Sequence, residues 1–473
     1  MIDERGLVAN TITHRDGTPA ETPEPFRYLL ELRAASHKPR EPAKLQCYSL
    51  LSMPHSFRNW KTSIAALVAL SALAATALAQ PFALHDGDRV VFYGDSITDQ
   101  RLYTTFAETY VVTRFPKLDV AFVHSGWGGD RVTGGGGGPI DVRLWRDVLA
   151  YNPTVMTIML GMNDGGYKAF DQQLFDNYAA GYKHIVETVK KQLPGIRITA
   201  IQPSPYDDVT RAPLFEGGYN QVLLRFCDFV KQLALDEKLG LADLNGPVAA
   251  MLAKAKDLDS AGAAKILPDR VHPGPGGHLI MAEALLKSWN APATVSAVEL
   301  DAARKEALGH TNAHVSDLAF GKGVSWTELD DALPMPFDTR DATVALAVRA
   351  SDFVDAVDRQ PLSVRGLAAG RYTLFIDGDP VGSFTAGQLD SGINLAELPT
   401  PMARQAAAVH ALTLQHAAMH NTRWRQVQVP LEKTPAEHLL AAIHALDALE
   451  ADLVRAQREA AQPKAHRFEL TPE

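Results

Sequence analysis

The chain has 473 residues, a formal net charge of −9 and no block of consecutive basic residues. This length is sufficient for two or three domains, and the mildly acidic balance gives no support to nucleic-acid binding. The two cysteines, Cys47 and Cys227, form no metal-binding pattern with the histidines. We therefore expect no metal site and no cofactor.

Residues 53–79 have the organisation of a secretory signal peptide. Arg58 and Lys61 precede an apolar stretch from Ile64 to Leu78, and an Ala-x-Ala cleavage site ends just before Gln80. The apolar stretch is shorter than the ~20 residues of a membrane-spanning helix, and a retained anchor or a buried helix are the alternative interpretations. The sequence thus predicts a mature protein that begins near Gln80, is secreted or periplasmic and has no stable insertion in a membrane.

Residues 1–52 have no place in front of a signal peptide, because signal peptides stand at the start of a chain. Met53 is the predicted initiator, and residues 1–52 are predicted to be a mis-called or disordered extension, since they are polar and rich in proline. Loss of Cys47 with this segment would leave no pair of cysteines for an intrachain disulfide.

Residues 80–292 alternate between strand-like and helix-like segments. The predicted strands are 89–93, 118–124, 154–160, 196–201 and 239–244. The predicted helices between them are 103–115, 142–151, 170–192 and 219–237. This alternation predicts an α/β fold with a parallel sheet and helices on both of its faces.

A possible nucleophile stands at the end of the first predicted strand, in Gly94-Asp95-Ser96. A serine at the start of a helix exposes its hydroxyl and directs its own backbone N–H toward the site. Taken alone, Gly-Asp-Ser is also a common turn sequence.

Three later segments contain the other groups that a serine nucleophile needs. Gly129 allows a backbone N–H to approach a substrate oxygen, Asn163 has a side-chain amide that can donate to an oxyanion, and Asp269 stands three residues before His272. Each has a simpler interpretation, as a turn glycine, a helix cap or surface loop residues. The order of the four segments is what favours a catalytic site.

These four blocks resemble those of the SGNH or GDSL hydrolase superfamily, over about residues 85–290. The resemblance implies Ser96 as nucleophile, Asp269 and His272 as its partners, and an oxyanion hole formed by Ser96, Gly129 and Asn163. It also implies a three-layer α/β/α sandwich with a flavodoxin-like parallel sheet. The chain departs from the family where His124-Ser125 replaces an expected asparagine, and the glycine run 134–138 predicts a flexible loop beside the cleft.

Four further residues complete the predicted site. Asp95 and Asp130 are predicted to support it, and Trp127 and Tyr206 are predicted substrate contacts.

The remainder of the chain is predicted to contain a connecting helix (293–322), a β-rich accessory module (323–432) and a C-terminal helix with a tail (433–473). Within the module, 342–348, 362–364 and 372–376 are predicted strands, and Asp377-Gly378 is a predicted hairpin turn. The module could bind polysaccharide or serve a structural purpose, such as shaping the cleft.

The sequence as a whole predicts an exported serine esterase that acts through an acyl-enzyme on short-chain or acetyl esters of carbohydrate. A lysophospholipase or general acyl-ester or thioester hydrolase is one alternative. A non-catalytic glycan-binding protein that retains the fold is the other. The predicted partner is an ester substrate, possibly an acetylated glycan, and the sequence does not define an oligomeric state.

Overall fold

The computed structural model describes residues 81–434 and 437–473, and residues 82–473 form one compact unit. The predicted extension (1–52) and signal peptide (53–79) lie outside the described residues. Among the residues that are described, no helix is both long and apolar enough to cross a membrane.

The first half of the compact unit alternates strands and helices as the sequence predicts. Its strands are β1 (Arg89–Gly94), β2 (Ala121–Gly126), β3 (Gly134–Gly135), β4 (Gly138–Pro139), β5 (Val155–Met159), β6 (Arg197–Gln202) and β7 (Gly240–Asp243). Its helices are α1 (Ser96–Asp99), α2 (Leu102–Arg114), α3 (Ile140–Asp147), α4 (Gln172–Gln192), α5 (Gly218–Glu237), α6 (Asn245–Leu258), α7 (Ser260–Ala263) and α8 (Pro275–Ser288).

The central sheet confirms the predicted α/β fold. It has the order β2-β1-β5-β6-β7, and all neighbouring strands are parallel. This is the flavodoxin-like order, in which ligands bind beyond the carboxyl ends of the strands where the order reverses. The reversal lies at β1, between β2 and β5, so the segments that follow these three strands converge on one place.

The second half adds two further sheets and a group of helices. Its strands are β8 (Ala297–Asp301), β9 (Glu306–Thr311), β10 (Ala313–Phe320), β11 (Val324–Asp330), β12 (Pro361–Arg365), β13 (Arg371–Ile376), β14 (Asp379–Thr385), β15 (Ile393–Asn394) and β16 (Ala465–Pro472). Its helices are α9 (Ala342–Arg349), α10 (Phe353–Val357), α11 (Ala386–Ser391), α12 (Pro401–Asn421), a π-helical turn (Thr422–Gln428), α13 (Val429–Leu431) and α14 (Leu439–Ala460).

The predicted connecting helix over 293–322 is wrong, because this segment forms strands β8, β9 and β10. The helix-favouring residues Ala302 and Ala303 lie in the turn between β8 and β9, which Lys305 closes with a φ of 61°. β9 is an edge strand with every residue exposed. Its charged composition therefore reflects a solvent-facing edge rather than a helix surface.

The predicted strand over 342–348 is also wrong, because it forms helix α9. The Asp341 carboxylate caps this helix and accepts hydrogen bonds from the N–H groups of Thr343 and Val344. A short apolar run fits a buried strand and a buried helix equally well by periodicity. The predictions for β12, β13 and the hairpin turn at Asp377-Gly378 are confirmed, and both turn residues have positive φ.

The end of the chain is integrated into the fold. The predicted C-terminal helix is present as α14, whereas the tail forms β16, which pairs between β11 and β13. Helix α12 packs on α2 and β2 of the first half, and α14 packs on α12. The C-terminal region thus covers the side of the central sheet that carries β2.

Candidate active site

Ser96 is the first residue of α1 and directly follows β1. The Asp95 carboxylate caps this short helix by accepting the N–H of Ile97 at 3.0 Å. Gly94 ends the strand, and a Cβ there would lie 2.7 Å from the carbonyl oxygen of Met159 on β5. The close approach of β5 therefore requires glycine at this position.

Ser96, His272 and Asp269 form one chain of hydrogen bonds. His272 Nε2 lies 2.8 Å from Ser96 Oγ, and His272 Nδ1 lies 2.7 Å from Asp269 Oδ2. The loop before α8 brings the two later residues to the serine across 176 residues of sequence. A neutral His272 protonated at Nδ1 and bonded to the carboxylate leaves Nε2 free to accept the serine proton.

Asp269 is held by its own loop. Its Oδ1 accepts the backbone N–H groups of Val271 and His272 at 2.9 and 2.7 Å. Partial burial alone would raise the pKa of Asp269, but these hydrogen bonds and the one with the His272 ring outweigh it and lower the pKa below its usual value. Asp269 therefore stays ionised across the neutral and mildly acidic range.

Gly129 and Asn163 lie in adjoining loops, and a Cβ at Gly128, the residue before Gly129, would lie 4.0 Å from Ser96 Cβ. Asn163 Nδ2 donates to the carbonyl oxygen of Asp130 at 2.9 Å, which places the amide against the peptide that follows Asp130. Gly129 has a φ of 77°, a conformation that favours glycine. Its N–H has no hydrogen-bond partner within the described part of the chain. It and the second Nδ2 proton of Asn163 are two donors available to an oxyanion.

Sequence reasoning did not identify Tyr167, which orients Asn163. The Tyr167 hydroxyl donates to Asn163 Oδ1 at 2.9 Å. The amide oxygen is therefore turned toward Tyr167 and the amide nitrogen toward Asp130. Tyr167 is held against the rings of Tyr206 and Tyr219, whose centroids lie 6.2 and 5.0 Å from its own. Its φ of 57° is unusual for tyrosine.

The two predicted supporting carboxylates are buried beneath this surface. Asp130 Oδ2 accepts from Arg143 Nε at 2.6 Å, and Asp95 caps α1 as described above. Burial raises the pKa of both groups, that of Asp95 to about 7, with the nearby Asp164 adding to the effect on Asp95. Asp95 thus caps the helix that begins at Ser96, and Asp130, directly after Gly129, is joined to α3 through Arg143.

The two predicted substrate contacts are almost fully buried. Trp127 is 7% exposed and Tyr206 is 6% exposed. The Trp127 ring packs edge-on against Trp424 and lies under the guanidinium of Arg425. Both side chains therefore contact protein neighbours rather than open cleft surface, and Trp127 supports a residue that does line the cleft.

An open cleft of about 380 Å³ lies in front of the serine and histidine. All of its lining side chains are polar: Ser96, Asp99, Gln100, Arg101, His272, Asn421 and Arg425. Asn421 and Arg425 come from the C-terminal region. No local signal could have identified them, because their proximity to Ser96 depends on contacts across more than 300 residues, such as that of Arg101 with Asn421.

The predicted flexible glycine loop forms the small β3–β4 hairpin instead. The carbonyl oxygen of Gly137 accepts from Arg146 at 2.9 Å. A Cβ at Gly137 would meet the side chains of Arg143 and Trp127 at 2.5 and 2.7 Å. The glycines thus allow the hairpin to pack closely over these side chains, and none of them lines the cleft.

One group of side chains has a composition that could hold a metal ion. Glu108, His124 and His416 are buried, and their ligand atoms lie within 4.8 Å of one another. The Glu108 oxygens are 2.9 Å from His124 Nε2 and 2.8 Å from His416 Nδ1, which are hydrogen-bond distances. Hydrogen bonding accounts for this arrangement without an ion, and the group lies outside the cleft.

A comparison with family models finds the GDSL-like Lipase/Acylhydrolase family over residues 92–280. The match contains Ser96, Gly129, Asn163, Asp269 and His272. The family model therefore matches the same part of the chain, about residues 85–290, in which the motifs resemble this family.

Among known proteins, an acetylxylan esterase of Geobacillus stearothermophilus is 27% identical over 226 residues, which cover 42% of this chain and 93% of the relative. Among solved structures, BT4096, a gut microbial diltiazem-metabolizing enzyme, is similar with a TM-score of 0.73 and 26% identity. That similarity covers 82% of this chain and 98% of the other. It thus extends over the C-terminal region as well as the central sheet.

Proposed function

Because residues 92–280 form a GDSL-like lipase/acylhydrolase domain and the chain is a carboxylic ester hydrolase, we propose that it is a serine esterase that removes acetyl or other short acyl groups from carbohydrate. The observation that carries this proposal is the hydrogen-bonded chain Ser96–His272–Asp269, whose serine and histidine line a cleft formed by polar residues.

The reaction begins with attack of Ser96 Oγ on the ester carbonyl carbon. His272 Nε2 takes the serine proton as the new bond forms, and Asp269 stabilises the resulting imidazolium. The carbonyl oxygen becomes an oxyanion that accepts hydrogen bonds from the N–H groups of Ser96 and Gly129 and from Asn163 Nδ2.

Collapse of the tetrahedral intermediate breaks the bond between the carbonyl carbon and the alcohol oxygen. His272 gives its proton to the departing alcohol, which leaves the acyl group on Ser96. A water molecule then attacks the acyl-enzyme, with His272 again acting as base. The products are the free acid and the regenerated serine, so no redox partner is required.

The cleft supports a carbohydrate alcohol, and one relative supports a short acyl group. The side chains that line the cleft are polar, and hydroxyl-rich sugars form hydrogen bonds with such groups. The acetylxylan esterase relative acts on an acetylated polysaccharide, as its name states. We further propose that the enzyme is exported, on the basis of the signal-like residues 53–79.

The test is a chain-length series of p-nitrophenyl acetate, butyrate and octanoate, together with acetate release from acetylated xylooligosaccharides. We expect kcat/KM to fall from acetate to octanoate and acetate to be released from the oligosaccharides, with both activities lost in Ser96→Ala. A preference for octanoate, or the absence of acetate release, would contradict the carbohydrate assignment while leaving an esterase.

A further inference from the structure

The C-terminal region supplies one cationic side chain to the cleft that has no hydrogen-bond partner. Arg425 lines the cleft beside Ser96 and His272. None of its guanidinium N–H groups has a hydrogen-bond acceptor within residues 81–434 and 437–473, and its Nη1 is buried without a partner. A buried unpaired donor costs roughly 1–3 kcal/mol, more when it is charged, so this guanidinium is poised for an acceptor.

The surroundings hold Arg425 in place, and no carboxylate of the described residues forms a salt bridge with it, although Asp99 lies close enough to act on its charge. Its Cζ lies 3.1 Å from the centroid of the Trp127 ring, which supports the planar guanidinium from below. Its neighbours in the π-helical turn are anchored elsewhere: Trp424 donates to Asp147 at 2.6 Å, and Arg423 donates to Asp447 at 2.7 Å. These two contacts fix the backbone just before Arg425, the one arginine of the turn that lines the cleft. π-helical irregularities are frequent at functional sites.

The charge of the cleft favours an anion. The other cleft arginine, Arg101, is already paired with Asp99 at 3.3 Å and bonded to Asn421 at 3.2 Å. Asp99 also accepts the N–H of Gly128 at 3.1 Å. With Arg101 and Asp99 paired, the charge of Arg425 has no direct partner at the cleft wall.

The position of the cleft indicates which part of the substrate Arg425 would contact. The cleft is lined by Ser96 and His272, but by neither Gly129 nor Asn163. Since His272 delivers its proton to the departing alcohol, this side of the serine receives the alcohol rather than the oxyanion. A group that meets Arg425 therefore belongs to the alcohol.

We propose that Arg425 is a specificity-determining residue that binds a carboxylate on the alcohol part of the ester, so that acylated acidic sugars such as uronates are favoured substrates. A guanidinium can donate two parallel hydrogen bonds to a carboxylate, so the interaction is strong and also fixes the orientation of the bound group. This inference rests on the proposed esterase function and narrows its substrate class.

The experiment compares per-O-acetylated methyl galacturonoside with its uronamide, which has the same size and no charge. At pH 7 we expect the wild-type protein to hydrolyse the uronate with a kcat/KM at least tenfold above that of the uronamide. In Arg425→Gln this ratio falls to about one. In Arg425→Lys it stays above one but below the wild-type ratio, because an ammonium keeps the charge and loses the two-point contact.

A wild-type ratio near one, or a ratio that is unchanged in Arg425→Gln, would overturn the inference. Hydrolysis of p-nitrophenyl acetate by the same preparations separates this failure from that of the proposed function. If p-nitrophenyl acetate is hydrolysed but the uronate-to-uronamide ratio is unchanged in Arg425→Gln, the protein is an esterase and Arg425 does not bind a carboxylate. If wild type hydrolyses none of the three esters, the proposed function itself fails.

Discussion

At the scale of single residues, the candidate site depends on donors whose direction is fixed by neighbours. Asn163 is the clearest example, because its amide is bonded on the nitrogen side to Asp130 and on the oxygen side to Tyr167. An amide held at both ends needs no reorganisation when charge develops on the substrate oxygen. Such preorganised donors account for much of the rate enhancement in acyl transfer.

We predict that Asn163→Ala lowers kcat by ~10²–10³, with a much smaller change in KM, because the lost hydrogen bond strengthens only as the oxyanion forms. Steady-state kinetics on p-nitrophenyl acetate measures both constants. An equal rise in KM with unchanged kcat would assign Asn163 to ground-state binding.

We predict that Tyr167→Phe lowers kcat by about tenfold, a loss consistent with one hydrogen bond, through the orientation of Asn163. In the Asn163→Ala background the same substitution should have little further effect, because the group that it orients is gone. A double-mutant cycle on kcat measures this coupling. Fully additive losses would show that Tyr167 acts independently of Asn163.

At the scale of elements, a buried network joins the C-terminal helices to the central domain. Glu108 on α2 pairs with His124 on β2 and with His416 on α12, and His416 Nε2 lies 3.3 Å from Glu450 on α14. His420, one turn after His416, also reaches Glu450, at 3.2 Å. The network lies where α12 packs on α2 and β2, so it contributes to the position of the π-helical turn that follows α12.

The two sides of this network have pKa values displaced in opposite directions. Burial alone would raise the pKa of Glu108, but His416 and His124 outweigh it and hold the pKa well below its usual range. Burial alone would lower the pKa of His416, but Glu108 and Glu450 raise it to about 10. The Glu108–His416 pair is therefore ionic at neutral pH.

We predict that the Glu108–His416 pair makes the free energy of unfolding decrease both at acidic pH and at alkaline pH. The stabilisation that a protonated His416 adds to the free energy of unfolding is complete below its ordinary pKa of 6.5. It is lost as the pH rises through about 10. The contribution of Glu108 is complete above its ordinary pKa of 4.5 and is lost as the pH falls below it. Glu108→Gln should lower the free energy of unfolding by ~3–5 kcal/mol at pH 6 and flatten its decline between pH 7 and 9.

Urea unfolding at a series of pH values measures this effect. The exposed Glu187→Gln on α4 is the matched control and should change the free energy of unfolding by less than ~0.5 kcal/mol. Parallel pH profiles for wild type and Glu108→Gln would contradict an ionic pair at this position.

At the scale of the whole molecule, the sequence carries enough local information for the central domain and too little for the rest. Strands buried on both faces and followed by polar turns are visible in the sequence, which is why β1, β2 and β5 and the residues after them could be predicted. Ser96, His272 and Asp269 also lie in short motifs whose spacing is fixed by local turns.

The C-terminal region could not be predicted to the same depth, because its structure depends on long-range pairing. β8 is set by its parallel pairing with β12, and β16 by its place between β11 and β13. Tertiary pairing of this kind overrides the local helix preference of residues such as Ala302 and Ala303. For the same reason the contribution of Asn421 and Arg425 to the cleft appears only in the folded chain.

The proposed mechanism requires Ser96 to carry the acyl group during turnover. The most direct measurement is peptide mass spectrometry after inactivation with diisopropyl fluorophosphate, which phosphorylates an activated serine. We expect one adduct per chain, on Ser96, in proportion to the loss of activity on p-nitrophenyl acetate, and no adduct in Ser96→Ala. Full inactivation with Ser96 unmodified, or turnover retained in Ser96→Ala, would contradict it.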